Sequence, residues 1–248
     1  MAYQSATVDV LGSPMEVLLF RPAGAGPYPG LLLAQHIPMG HAGLENDLFT
    51  LTTAARLADH GYLVAVPFIF HWWPKEAALE RKREESRDDW IVADMQAAYR
   101  LLCEQDGIDR TRIGVVGHCW GGRVAWLTAC HIPQLAAMAT FYGGNIKKAL
   151  GAGNQPPLGL ARFIACPVIG FFGNDDSNPS PQDVEDYSAA LAAAGVAHEF
   201  HQYDGAGHAF QNFPMPERYH AAASEAAWNR LLAFLAEKLG GLAPHHAD

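Results

Sequence analysis

Three side chains that together can perform nucleophilic acyl transfer occur along the chain: Cys119, Asp176 and His208. In such chemistry a thiolate attacks a carbonyl carbon, a histidine moves the proton, and a carboxylate orients the histidine. Each of the three follows a short apolar run of the kind that predicts a strand. The residue types and their placement therefore predict cysteine-based acyl transfer.

The segment around Cys119 has the pattern of a nucleophile elbow. An apolar, β-branched run at 113–116 precedes it, Gly117 and Gly121 stand two residues away on either side, and apolar residues at helical spacing follow. Small neighbours permit the sharp turn from strand to helix, and the N-terminus of the helix favours a thiolate. The alternative is a buried structural cysteine in a glycine-rich turn.

Asp176 and His208 are expected at the same edge of a sheet as Cys119. Asp176 follows a predicted strand at 166–172, and His208 follows a predicted edge strand at 198–203. Because parallel strands present their carboxyl ends at one edge, the three side chains would meet there. Asp175 is the fallback acid if the register differs by one, and either carboxylate could instead cap a turn or a helix.

A further buried strand, at 30–35, leads directly into His36 and Ile37. The backbone N–H groups of Ile37 and Trp120 are the candidate donors to an oxyanion. His36 falls where a pocket side chain would lie, although it could equally be a hydrogen-bonded structural histidine. As a pocket residue next to the thiol, it would act as a second base or, when protonated, stabilise the thiolate.

Aromatic and polar side chains beside the strand ends are the other candidates for a substrate pocket. The loop at 68–74 holds four rings and a histidine, so His71 and Trp72 could wall an apolar pocket. The same loop could instead be a rigid surface corner packed on its own rings. Tyr142, at the end of a predicted strand, and Phe210 and Asn212, just after His208, complete the candidate pocket.

The elements between these residues alternate between strands and helices. We expect an opening hairpin from strands at 7–11 and 15–20, helices at 44–60, 88–105, 181–195 and 217–239, a solvated helical face at 76–87 and a mobile loop at 147–162. The alternation predicts an α/β fold with a mostly parallel central sheet and helices on both faces. A chain of this length fits one domain over residues 1–248.

Composition excludes several classes of partner. The 248 residues are 50% apolar and carry a formal net charge of −9, which disfavours nucleic acid and anionic membranes and favours a small molecule. The four cysteines show no C-x-x-C pairing, and neither an export signal nor a membrane-length apolar run is present, so we expect a soluble cytoplasmic protein, monomeric or homodimeric. No metal is expected, because the internal histidines lack the spacing of helical zinc motifs; a metal enzyme is the weaker alternative.

The sequence resembles the dienelactone hydrolase family of α/β hydrolases. The motifs that carry the resemblance are Gly-His-Cys-Trp-Gly-Gly at 117–122, Gly-Asn-Asp-Asp at 173–176 and Gly-Ala-Gly-His-Ala-Phe at 205–210. The resemblance implies the α/β-hydrolase fold, with Cys119 as nucleophile, His208 as general base and acid, and Asp176 as orienting carboxylate. It also implies an ester, lactone or thioester substrate and no cofactor.

Two positions depart from the lactone-cleaving members of that family. Those members have a glutamate where this chain has His36, and an arginine for the substrate carboxylate where it has Asn212. We therefore expect a neutral or more apolar substrate rather than dienelactone itself. The alternative is a non-catalytic, small-molecule-binding member of the same fold.

Overall fold

One eight-stranded sheet organises the computed structural model, which describes residues 2–37 and 43–241. The strands are β1 (Gln4–Val10), β2 (Ser13–Phe20), β3 (Tyr28–Ala34), β4 (Leu63–Pro67), β5 (Ile108–His118), β6 (Ala137–Phe141), β7 (Val168–Gly173) and β8 (His198–Tyr203). The helices are α1 (Leu48–Asp59), α2 (Leu79–Glu84), α3 (Asp88–Cys103), α4 (Trp120–His131), α5 (Pro181–Ala193) and α6 (Ala221–Leu239), with 3₁₀ turns at Leu44–Asn46 and Pro157–Phe163.

The predicted hairpin is confirmed at the start of the sheet. β1 and β2 pair antiparallel, and Val10 lies opposite Ser13. Only Leu11 and Gly12 remain for the turn, and both have positive φ, 54° and 85°, as a two-residue hairpin turn requires. Ser13 and Pro14 therefore lie in β2 and not in the turn.

The order of the strands creates the crevice in which a ligand can bind. The sheet runs β1-β2-β4-β3-β5-β6-β7-β8, and every pair from β4 to β8 is parallel. The chain leaves β3 in one direction, toward β4, and leaves β5 in the other, toward β6. Since such crossovers are right-handed, α1 lies on one face and α4 on the other. The predicted fold, a mostly parallel sheet with helices on both faces, is correct, and its switch point lies between β3 and β5.

The core lies at the middle of the sheet. Every residue of β4, β6 and β7 is buried, which explains why these strands read as continuous apolar runs without alternation. The edge strands β1 and β8 are partly exposed. Within the described ranges, no helix has the length and apolar character needed to cross a membrane.

Three connecting segments differ from their expected form. The helix expected from residue 44 begins at Leu48, because Asp47 caps it by accepting a hydrogen bond from the Thr50 N–H. The stretch at 76–87 holds only the short α2, and it is not simply a solvated face, since Lys82 is buried and donates from Nζ to the carbonyl of Lys75. The loop at 147–162 runs into the 3₁₀ turn that begins at Pro157.

Candidate active site

The elbow places Cys119 at the switch point. β5 ends at His118 and α4 begins at Trp120, so Cys119 alone makes the turn, with φ of 56°. The two flanking glycines are required by close approach: a Cβ on Gly117 would lie 1.9 Å from the carbonyl oxygen of Gly121, and one on Gly121 would lie 2.2 Å from that of Ala34. The thiol is thereby held half-exposed above the first turn of α4.

The three residues singled out by sequence come together beside this turn. The Sγ of Cys119 lies 3.1 Å from Nε2 of His208, and Nδ1 of His208 lies 2.8 Å from Oδ2 of Asp176. The other oxygen of Asp176 accepts the backbone N–H of Asn178 at 2.8 Å. Asp176 is buried, whereas Asp175, the fallback acid, is exposed and makes no such contact with His208.

The electrostatics of the trio favour a charged histidine. Burial alone would lower the pKa of His208, but the hydrogen bonds and negative charges of Asp176 and Cys119 outweigh it and raise the pKa to about 10. Below that pH the ring carries a proton on both nitrogens, donating from Nδ1 to Asp176 and from Nε2 to the sulfur. This is the arrangement that stabilises a thiolate beside an imidazolium.

A titration of His208 tests this charge state. The raised pKa predicts that ¹⁵N NMR of the folded protein shows a doubly protonated ring at pH 8, where a histidine in the urea-unfolded chain, near its ordinary value of about 6.5, is neutral. Asp176→Asn removes the negative charge that faces Nδ1 and is expected to lower the pKa of His208 by more than about one unit. A wild-type ring that titrates near its ordinary value would contradict the ion-pair description.

A second histidine ties the elbow to the loop that carries His208. His118 is buried, and its Nε2 lies 2.9 Å from Oε1 of Gln211, three residues beyond His208. Burial lowers the pKa of His118 to about 3, so this ring is neutral and donates its Nε2 proton to the amide oxygen. Its ring stacks on Phe141 at 4.4 Å. The contact links the end of β5 to the segment that carries His208.

A cavity of about 350 Å³ opens over the thiol. Cys119 and His208 form part of its wall together with Ile37 and Trp120, the two residues predicted to supply oxyanion donors. Trp120 is the first residue of α4, where backbone N–H groups have no partner within the helix. The other wall residues are Arg83, Gly144, Asn145, Lys148, Leu150 and Asn178.

His71 and Trp72, predicted to line the pocket, do not lie on this wall. The ring of His71 bridges two polar groups, with Nε2 2.9 Å from Oδ1 of Asp94 and Nδ1 2.8 Å from Oγ of Ser13. Trp72 donates to the other oxygen of Asp94 at 3.1 Å and stacks on Trp90. The pocket assignment for this loop is wrong, because the fully buried Asp94 carboxylate recruits both rings and makes the loop a packed corner.

Tyr142, Phe210, Asn212 and His36 also lie outside the cavity wall, so their assignment as lining residues is corrected. The first three are buried, and Tyr142 packs edge-on against the ring of His208 at 5.3 Å and against Phe210 at 5.2 Å. Tyr142, with Phe210 packed on it, therefore supports the ring of His208.

His36 has a structural partner. Its Nε2 lies 2.9 Å from Oδ1 of Asp47, the residue that caps α1, and both side chains are buried. Its ring also packs on Phe49, with centroids 5.1 Å apart. The expected contact between His36 and the thiol of Cys119 is not among these interactions. The hydrogen bond of the Cys119 sulfur goes to His208 instead.

The sequence interpretation missed the two cations of the wall, Arg83 and Lys148. Arg83 comes from α2, inside the charged stretch that was expected only to face solvent, and Lys148 comes from the segment expected to be a loose loop. Charged runs carry no periodic signal that distinguishes a cavity residue from a solvated one. Asn178 was also missed, although its place two residues after Asp176 at the same strand end is a signal that could have identified it.

Over residues 2–37 and 43–241, no three His, Cys, Asp or Glu side chains are arranged to hold a metal ion. The buried histidines have separate partners instead, Asp47 for His36, Asp94 for His71 and Gln211 for His118. The four cysteines are free thiols.

Comparisons with known proteins show the family to which the chain belongs. The model of the dienelactone hydrolase family matches residues 15–239. A "Putative carboxymethylenebutenolidase" of Escherichia coli (strain K12) is 32% identical over 224 residues, which are 87% of this chain and 79% of that protein. A "Carboxymethylenebutenolidase" of Rhodococcus opacus is 31% identical over 229 residues, 86% of this chain and 88% of that one. The crystal structure of a "Putative Dienelactone Hydrolase" from Klebsiella pneumoniae subsp. pneumoniae MGH 78578 superposes with a TM-score of 0.82 at 29% identity, covering 96% of this chain and 100% of the other.

Proposed function

The chain belongs to the dienelactone hydrolase family and is a hydrolase of that type, and from this premise we propose that it cleaves a small, anionic ester, lactone or thioester through an acyl-enzyme on Cys119. The observation that supports the proposal best is the continuous contact from sulfur to carboxylate, 3.1 Å from Cys119 to His208 and 2.8 Å from His208 to Asp176. This contact opens onto the cavity that would hold the substrate.

Acylation follows from the positions of these groups. The Cys119 thiolate adds to the carbonyl carbon, and the electron pair of the C=O bond moves to the oxygen. The backbone N–H groups of Ile37 and Trp120 bind that oxyanion, and one such donor is worth about 3 kcal/mol of the barrier. Collapse of the adduct expels the alkoxide or thiolate, which takes the Nε2 proton of His208. The product of this half-reaction is a thioester on Cys119 and a neutral histidine.

In deacylation His208 acts as a base, whereas in acylation it acts as an acid. His208, now neutral at Nε2, accepts a proton from water as the water oxygen adds to the thioester carbonyl. The same two N–H groups bind the second oxyanion, which collapses to release the acid and the Cys119 thiolate. Asp176 stabilises the imidazolium each time it forms and holds the ring in one orientation, because its Oδ2 accepts from Nδ1.

The charge of the cavity wall selects the substrate. Arg83 and Lys148 both lie on the wall, and none of the described residues that line it is a carboxylate. The expectation of a neutral, ring-lined pocket is therefore revised, because cations at a partly enclosed cavity favour an anionic ligand. They would take the place of the arginine that the lactone-cleaving members of the family have at the position of Asn212. The two cations come from two different elements of the fold.

A matched pair of esters tests the charge preference. We expect mono-4-nitrophenyl adipate to be hydrolysed at its nitrophenyl ester with a higher kcat/KM than its methyl ester, in which an uncharged methyl ester replaces the terminal carboxylate. Arg83→Met and Lys148→Met are each expected to reduce this preference by about 5- to 10-fold, the effect of one unit charge across a solvated cavity.

Arg81→Met is the matched control for these variants. Arg81 stands two residues before Arg83 on the same short helix, but its guanidinium pairs with Glu85 in solvent at 3.0 Å. Its removal is expected to leave the preference unchanged, since exposed ion pairs contribute little. An equal loss in all three variants would show a general effect of net charge and would contradict a specific anion site.

A further inference from the structure

A buried ion pair lies next to the elbow and takes no part in the reaction described above. Arg123, in the first turns of α4, is fully buried, and its Nη2 lies 2.6 Å and 2.8 Å from the two oxygens of Asp88. Asp88 is the first residue of α3 and is 3% exposed. Burying two charges costs about as much as their attraction returns, so stability alone does not explain such a pair.

The pair binds the backbone of a single short segment. Arg123 donates to the carbonyl of Asn145 at 3.0 Å and to that of Lys148 at 2.8 Å. Asp88 accepts the N–H of Leu150 at 2.8 Å, and its own N–H donates to the carbonyl of Leu150 at 3.0 Å. Three residues of the segment are thus held, and the same three form part of the cavity wall.

The neighbouring lysine shows how selective this placement is. Lys147 is not among the residues that line the cavity, and its Nζ pairs with Asp183 at 2.7 Å and with Asp186, both on α5. Lys148, one position later, is fixed through its carbonyl by Arg123 and lies on the wall. The segment between β6 and the 3₁₀ turn therefore places Lys148 on the cavity wall and engages Lys147 in ion pairs with α5.

We propose that the Arg123–Asp88 pair is a specificity-determining clamp, which sets the preference of the site for anionic ligands by holding the segment 145–150 so that Lys148 lies on the cavity wall. Both residues are positioning residues, since they act through Lys148 and touch no substrate. The inference rests on the proposed anionic substrate class. It assigns to two buried side chains a role in ligand selection separate from the chemistry at Cys119.

Replacing Asp88 with asparagine distinguishes the proposed clamp from a direct electrostatic effect of the Asp88 charge on the cavity. Asp88→Asn removes a negative charge near the cavity, so the field alone would increase the preference for anions. The same change removes one of the two oxygens that accept hydrogen bonds from Arg123 and Leu150. If the pair acts as a clamp, the segment 145–150 is then held less firmly and the preference for anions decreases. The two explanations therefore predict opposite signs.

The experiment compares the alkylation of Cys119 by iodoacetate and by iodoacetamide, which differ in charge and need no ester hydrolysis. Rates are followed by intact mass at about pH 7 and one ionic strength. The ratio of the two rates is expected to fall by about 3-fold or more in Asp88→Asn and in Arg123→Met, with the iodoacetamide rate within about 2-fold of wild type. Arg123→Lys can keep the ion pair but not both carbonyl contacts. Its rate ratio is therefore expected to lie between those of the wild type and Arg123→Met.

Two controls complete the design. Arg230→Met removes one positive charge from the ion pair with Glu199, at the far edge of the sheet, and is expected to leave the ratio unchanged. In a Lys148→Met background, Asp88→Asn is expected to change the ratio no further, because contacts that act through one residue are not additive. If Arg123→Met fails to fold, Asp88→Asn and Arg123→Lys carry the test.

The outcomes distinguish the clamp from the function on which it rests. A wild-type ratio no higher than that of free cysteine would overturn the anionic substrate class. A raised wild-type ratio that increases in Asp88→Asn, or that stays the same in both Asp88→Asn and Arg123→Lys, would overturn the clamp alone.

Discussion

Cys119→Ala is expected to reduce kcat/KM for mono-4-nitrophenyl adipate by at least about 10⁴-fold, because the residue that forms the covalent intermediate is lost. The substitution keeps the Cβ and so adds no strain to a position whose φ is already 56°. The melting temperature is therefore expected to change by only a few degrees. Steady-state kinetics and thermal unfolding of the same preparation give both numbers.

Cys103→Ala is the control for this loss. Cys103, at the end of α3, is also a half-buried free thiol, but it lies outside the cavity wall. Its replacement is expected to leave kcat/KM within about 2-fold of wild type, as for a substitution away from the site. If Cys119→Ala retains more than a few per cent of wild-type activity, a route through water and His208 alone would replace the covalent mechanism.

Gly117→Ala is expected to have the largest effect on stability. The added Cβ would lie 1.9 Å from the carbonyl oxygen of Gly121 and 2.3 Å from its carbonyl carbon. Both atoms belong to the backbone of α4, so no side-chain rotation relieves the overlap, and the elbow must open. We expect the free energy of unfolding to fall by more than about 4 kcal/mol, a loss of roughly 10 °C or more in melting temperature.

Gly159→Ala is the matched control for that prediction. Gly159 lies in the 3₁₀ turn at Pro157–Phe163, and a Cβ there meets nothing within 4 Å. We expect its free energy of unfolding to stay within about 0.5 kcal/mol of wild type. Chemical denaturation of both variants measures the difference, and equal stability of the two would show that the elbow tolerates a side chain.

The sequence predicts the parts of the site that local chemistry dictates. The glycines around Cys119 have a steric reason that can be seen without coordinates, and the contact between the thiol and His208 follows from the common edge at which parallel strands end. The hairpin and the buried strands followed from composition in the same way. The sequence left the acid open between Asp176 and Asp175, and the two differ only in the folded chain, where Asp176 is buried beside His208 and Asp175 is exposed.

The parts that the sequence did not predict depend on tertiary contacts. His71 and Trp72 looked like pocket residues because their loop follows a strand end, but the carboxylate that captures them, Asp94, lies on a different element. Arg83 and Lys148 stand in stretches whose local patterns indicate only solvent. Their position on the wall depends on how α2, α3 and the segment after β6 pack, and this packing includes the Arg123–Asp88 pair.

The most direct test of a Cys119 acyl-enzyme is mass spectrometry of the reaction with mono-4-nitrophenyl adipate after rapid acid quenching. We predict a burst of about one 4-nitrophenol per protein chain and an adipoyl group on the peptide that contains Cys119. The adduct is expected to accumulate in His208→Gln, because deacylation needs a base for water. Turnover by the wild type with no adduct on Cys119, in either protein, would contradict the mechanism.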